Sequence, residues 1–331
     1  MNPSFTLEPS SKNARKSRFA WLWAIFRFVG RMLVFSPFRR KVPFRNEEGT
    51  AFSRFVRSIT YRLAFVPVIL VAFLSALVFG ATHPGRDVTA SDPLKVGIYY
   101  EPVSFMSEDG VNLEGWLIPV IDAKRVLAEG QGILNKRYPA VVLVHDFAAT
   151  RDQLVPLAEP LHKAGFVVLA MNLRGTASMS TDAQTFGIRE SMDVRAAVET
   201  LRRRPSVDGA RIALIGIGTG ANASMIAAKN DPSLNTLVLS APVEGFDQAL
   251  ANRIGSDSRW QPTLRPLLRW TFQVMYGIEA SELDLKNYAK MLESRHVYMT
   301  DGRHGLMEPA SIIRVQKFLQ NYMNPEVAVT R

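Results

Sequence analysis

Arg211–Asn230 reads RIALIGIGTGANASMIAAKN: a short apolar run, a turn containing Gly216, Gly218 and Gly220, and an alanine-rich segment at helical spacing. This is the signature of a strand entering a helix through a tight glycine corner. The same rhythm extends outward on both sides. Upstream, Val96–Ser107 and Val111–Pro119 read as two strands around the turn Ser107-Glu108-Asp109-Gly110, and Leu127–Tyr138 as a polar loop. Ala140–His145 and Phe166–Met171 are continuous apolar runs, as in strands covered on both faces. Asp152–Ala164 and Arg189–Arg204 have helical patterns. Downstream come a strand at Thr236–Ser240, a strand at His296–Thr300 and a helix at Ala310–Tyr322. Strands alternating with helices imply an α/β domain with a mostly parallel sheet flanked by helices, its first two strands extending it antiparallel. Residues 243–292, with Trp260, Pro262, Pro266 and Trp270, break the rhythm and read as a helical insertion over the C-terminal edge of the sheet, where open α/β sheets bind ligands.

Gly216-Ile217-Gly218-Thr219-Gly220, placed between strand and helix, resembles the nucleophile elbow G-x-S-x-G of the α/β-hydrolase superfamily. The resemblance covers Val96–Tyr322 and has further supports. Val144-His145 closes the third strand where the family carries an H-G oxyanion loop. Asn172-Leu173-Arg174-Gly175 follows the next strand, and Gly302-Arg303-His304-Gly305 follows the last. Glu190 and Asp193, ahead of Val207-Asp208, are similar to the serine-peptidase, esterase and dienelactone-hydrolase branches. A dinucleotide-binding fingerprint fits less well. Its sixth position would be Ala221, strands precede the turn, and the next strand ends on Ser240 rather than on an acid.

The resemblance implies a serine at position 218, and this chain has Gly218. Glycine has no nucleophile to offer, and it accepts the strained turn without a Cβ penalty. The resemblance makes His304 the base and Phe147 and Thr219 the backbone donors of the oxyanion loop. It places the acid after a strand matched to Phe272–Tyr276, with Glu279 as the weak candidate. Glu282 and Asp284 suit the first turn of a following helix, Asp301 suits a turn, and Ser224 lies too far along its helix to replace the missing nucleophile. The family's H-G is His145-Asp146 here; a carboxylate facing the site would oppose a developing oxyanion, and otherwise would brace the loop with Arg151 or Arg174. No cofactor or metal is expected. His83, His145, His162, His296 and His304 have no ligand spacing, cysteine is absent, and there is no phosphate loop.

The net charge of +10 is confined to residues 1–62, which carry 13 Lys+Arg and 3 Asp+Glu; the remaining 27 basic and 27 acidic residues balance. A basic flank beside an apolar segment signals membrane topology rather than nucleic-acid binding. Leu63–Ala81 has no charge and would rise about 28 Å as a helix, close to the hydrocarbon thickness of a bilayer. The expected layout is a cytoplasmic basic region (1–62), a transmembrane helix (63–81), a linker (82–95) and an extracytoplasmic α/β-hydrolase-like domain (96–331), as in a bacterial inner-membrane protein facing the periplasm. Within the basic region, Phe19–Phe35 carries Trp21, Trp23, Phe26 and Phe28 but also Arg27 and Arg31. It reads as a helix lying on the inner leaflet, or alternatively as the first arm of a membrane hairpin.

The functional expectation is a membrane-anchored pseudo-hydrolase serving as a scaffold or binding an apolar small ligand or a protein partner, with the bilayer as its constant partner. The alternative is an active esterase or peptidase with an unrecognised nucleophile.

Overall fold

The computed structural model describes residues 51–85, 92–121, 125–127, 130–176, 182–254, 261–300, 302 and 305–323. The amphipathic stretch at Phe19–Phe35 and the loop position His304 lie outside these residues. The chain divides into two compact units, Met1–Leu74 and Ser75–Arg331. One helix, α1 (Ala51–Thr82), contains Leu63–Thr82, a stretch long and apolar enough to cross a membrane. Its last turns belong to the second unit. There Leu77, Val78, Ala81 and Thr82 are buried.

The domain is built on a seven-stranded sheet: β1 (Glu101–Met106), β2 (Asn112–Ile118), β3 (Tyr138–Val144), β4 (Val167–Met171), β5 (Val207–Ile217), β6 (Thr236–Ser240) and β7 (His296–Thr300). Their spatial order is β1-β2-β4-β3-β5-β6-β7. The β1/β2 and β2/β4 pairs are antiparallel and all others parallel. The inner strands are apolar throughout because helices cover both faces: Val141–Val144, Leu214, Ile215 and Leu237–Leu239 are fully buried. The helices are α2 (Val155–Lys163), α3 (Glu190–Arg202), α4 (Thr219–Asn230) and α8 (Pro309–Met323). In the insertion lie α5 (Phe246–Ile254), α6 (Gln261–Tyr276) and α7 (Ala289–Glu293).

The strand expected at Phe272–Tyr276 is instead the end of α6. Its β-favouring residues continue a helical stripe, with Leu268, Thr271 and Phe272 buried at i, i+3 and i+4 and residues 273–275 exposed. β7 therefore pairs directly with β6, with no strand between them.

One buried ion pair ties the hairpin, the β4 loop and α3 together. The Arg174 guanidinium is 1% exposed and donates to both oxygens of Asp193, itself fully buried. It also reaches Asp109 in the β1–β2 turn, at 2.9 Å from Nη2, and Ser107 Oγ. Burial pushes the Asp193 carboxyl up, and Arg174 opposes this. Removing one partner of such a pair strands a charge. Arg174→Met should cost about 3–5 kcal/mol in the denaturation free energy, whereas Arg174→Met combined with Asp193→Leu should recover most of it.

Candidate functional site

β5 ends at Ile217 and α4 begins at Thr219, so Gly218 alone makes the corner, at φ 55° and ψ −114°. Its N–H donates to Ser240 O (2.8 Å), and its carbonyl accepts from the N–H groups of Ala221 and Asn222. The flanking glycines answer to backbone. A Cβ on Gly216 would strike the carbonyl of Gly220, and one on Gly220 would strike those of His145 and Val144. Gly218 answers to a side chain. A Cβ there would fall inside the carboxylate of Asp146, whose Oδ2 would be 2.7 Å away and whose Oδ1 would be nearer still.

Asp146 follows β3 and turns its carboxylate onto the corner. Oδ1 accepts two backbone N–H groups, from Phe147 (2.7 Å) and from Thr219 (2.9 Å). These are the two donors that the sequence singled out for an oxyanion, and both converge on one carboxylate oxygen of the protein itself. Arg151 and Arg174, considered as its braces, are engaged elsewhere: Arg151 lies over the Trp116 ring and 3.5 Å from Glu114 Oε1, and Arg174 holds Asp193.

The loop carrying Asp146 is held from several sides. His145 is fully buried. Its Nε2 accepts from Leu173 N–H (3.0 Å), which leaves Nδ1–H to donate to Asp146 O (2.7 Å). Burial pushes the imidazole down to about 4, so it is a neutral brace and not a base at neutral pH. Ala148, at φ 62°, donates to Gln184 Oε1, and Gln184 Nε2 donates to Arg174 O. Asn222, on the first turn of α4, clamps the loops above: Nδ2 donates to Phe186 O and Val243 O, and Oδ1 accepts from Val243 N–H. Glu190, fully buried, accepts from Thr185 N–H, Gly187 N–H and the Thr185 hydroxyl; burial pushes its carboxyl up.

Aromatic side chains pack beside this loop. Phe147 stacks on Phe186 (6.0 Å), which meets Phe246 and Phe272, and Phe272 meets Tyr276. Phe186, Phe246 and Phe272 are almost wholly buried, so the insertion helices α5 and α6 are filled with rings on this side. The Arg253 guanidinium lies 3.5 Å from the centre of the Phe147 ring.

Of the residues expected at the site, the structure brings Gly218, Thr219 and Phe147 together. Glu279 is exposed at the start of a 3-10 turn, where it accepts from Ser281 Oγ (3.2 Å); it has none of the burial of an acid that orients a base. His304 is outside the described residues, although the loop before it is placed by Ser240 Oγ donating to Gly302 O. Asn222 and Gln184 carried no motif signal. Asp146 had one: the resemblance expects glycine at that position, as it expects serine at 218.

The profile of the Serine aminopeptidase, S33 family matches residues 135–324, more than half of the chain. The chain belongs to this family of α/β hydrolases. Among its curated relatives is the Polyketide transferase ATR5 of Stachybotrys chlorohalonatus, 29% identical over 44% of this chain and 46% of that one. Another is the Alpha/beta hydrolase domain-containing protein WAV2 of Arabidopsis thaliana, 25% identical over 61% of this chain and 58% of that one. The chain thus spans about half the length of the curated relatives it matches. An esterase of Pyrococcus furiosus superposes with a TM-score of 0.52 at 20% identity, over 72% of this chain and 99% of the esterase; this likeness is one of fold.

In this S33-family corner, residues 146 and 218 compete for one volume. Gly218→Ala should destabilise the domain by about 1–3 kcal/mol through overpacking, on top of the strain of positive φ. In an Asp146→Gly background only the strain should remain, so the double-mutant cycle should show favourable coupling. Additive costs in chemical denaturation would mean that the carboxylate does not occupy the corner.

Proposed function

We propose that this chain is a membrane-anchored, non-catalytic member of the hydrolase family, acting as a binding or scaffolding module. One observation carries the reading: Asp146 Oδ1 occupies the point at which Phe147 N–H and Thr219 N–H converge. A hydrolase keeps such donors free for charge that develops in the transition state. Here they are already satisfied by a fixed anion, so a substrate carbonyl oxygen entering the site would have to displace a carboxylate and would meet its repulsion. The corner residue has no side chain with which to attack. Both halves of acyl-transfer chemistry, nucleophile and oxyanion stabilisation, are thereby absent from the place where the fold mounts them.

Activity through another nucleophile is the competing reading, and the name of a relative such as a polyketide transferase keeps acyl transfer in view. The two part on a fluorophosphonate probe. The purified chain is expected to remain unlabelled, and Gly218→Ser is expected to show no ester hydrolysis above background, since Asp146 blocks the new hydroxyl. Stoichiometric labelling of the natural chain, or turnover at ordinary enzyme rates by Gly218→Ser, would overturn the non-catalytic reading.

The anchor reading rests on Leu63–Thr82 and on the basic residues that precede it. Thirteen Lys+Arg lie before the segment, and only Arg86 and Lys95 follow within twenty residues, so the N terminus is assigned to the cytoplasm and the domain to the other side. An alkaline phosphatase reporter joined after residue 95 should be active, and a reporter that works only in the cytoplasm should be silent there; the reverse pattern would refute the orientation.

A further inference from the structure

The helix α6 presents apolar residues on two faces. Leu268, Thr271 and Phe272 face the domain core. On another side Leu267, Trp270 and Val274, spaced i, i+3 and i+7, are 39%, 53% and 63% exposed. Three large apolar side chains on successive turns of one helix form an exposed apolar stripe, the kind of surface that marks a protein or membrane contact.

The position of this helix names the partner. At its C-terminal end the Tyr276 hydroxyl is 2.6 Å from Thr82 Oγ1, the last residue of α1. Thr82 O also accepts from Gln184 N–H (2.8 Å), and Arg189 donates to Tyr276 O (2.7 Å). The end of α6 is thus bolted to the end of the candidate span.

The length of the span adds a constraint. A bilayer core of about 30 Å needs roughly 20 helical residues. Arg62 bounds the uncharged run, and Leu63–Leu74 supplies only about 18 Å of rise. The remaining ~12 Å would come from Ser75–Thr82, where Leu77, Val78, Ala81 and Thr82 are buried and Thr82 bonds Tyr276 and Gln184. The domain surface beside that segment must then enter the outer leaflet, and α6 is attached there.

From this, and resting on the membrane-anchored reading, we infer that the Leu267–Trp270–Val274 face of α6 is a second membrane contact, seated in the acyl-headgroup boundary of the outer leaflet. Tryptophan suits that depth. Arg269 on the same helix is paired with Asp247 through two 2.9 Å bonds, so the face is built for the apolar boundary rather than for anionic headgroups.

The chain has no cysteine, so single cysteines can be introduced into the full-length protein and labelled with bimane. Variants Trp270→Cys, Val274→Cys, Val68→Cys (in the span) and Leu134→Cys (exposed and apolar, before β3) would be reconstituted in neutral phosphatidylcholine vesicles, with and without brominated lipid. Labels at 270 and 274 should lose about half or more of their emission to brominated lipid, as a site at the acyl boundary should. The label at 68 should be quenched as well, and the one at 134 should not.

Quenching at 68 but not at 270 and 274 would overturn this inference and leave the anchor intact. Shielding of 270 and 274 from aqueous iodide without quenching by lipid would assign the face to a protein partner and also overturn it. No lipid quenching at 68 would sink the anchor reading, and this inference with it.

Discussion

Two backbone N–H groups from different parts of the chain, those of Phe147 and Thr219, meet on one oxygen of Asp146. Each is a charge-assisted hydrogen bond in a buried place, worth more than an ordinary one and costly to leave unmade. The arrangement requires the end of β3, the β5–α4 corner and the carboxylate to fit together at once. It also requires residue 218 to lack a side chain, because the carboxylate fills the volume that a Cβ would need. Glycine at 218 and aspartate at 146 are in this sense a single feature.

The surroundings serve that feature. His145 is held neutral by burial, with both ring nitrogens spent on backbone partners, so it orients the loop. Asn222 fastens the loops at Phe186 and Val243 to the first turn of α4. Gln184 bonds the end of α1 through its main chain, and Ala148 and Arg174 through its side chain. The end of α1 and the loop bearing Asp146 therefore share one residue. Family membership and the state of the corner are separate matters: the S33 match reports the scaffold, whereas chemistry depends on which atoms occupy it.

The sheet explains why no strand forms at Phe272–Tyr276. Phe272-Gln273-Val274-Met275-Tyr276 is rich in residues that favour strands, and the resemblance called for a strand at that point. In the folded chain the segment completes the amphipathic helix α6, whose core side is set by Leu268, Thr271 and Phe272. Local propensity was overridden by a helical stripe that begins earlier in the sequence. With β7 beside β6, the strand that was to carry the acid has no place in the sheet, and Glu279 is left exposed in a turn.

Much of the domain was legible in one dimension, because strands buried on both faces must be apolar throughout and helices must repeat near every fourth residue. Hence the alternation, the antiparallel leading pair and the glycine corner could be read before any coordinates. The absence of a hydroxyl at Gly218 was equally plain. What the sequence could not reveal was the direction of the Asp146 side chain, since that rests on N–H groups about seventy residues apart being brought together by the β3–β5 pairing. A carboxylate in a loop has many partners in the abstract. Only the tertiary structure decides that this one faces inward, onto the N–H groups of Phe147 and Thr219.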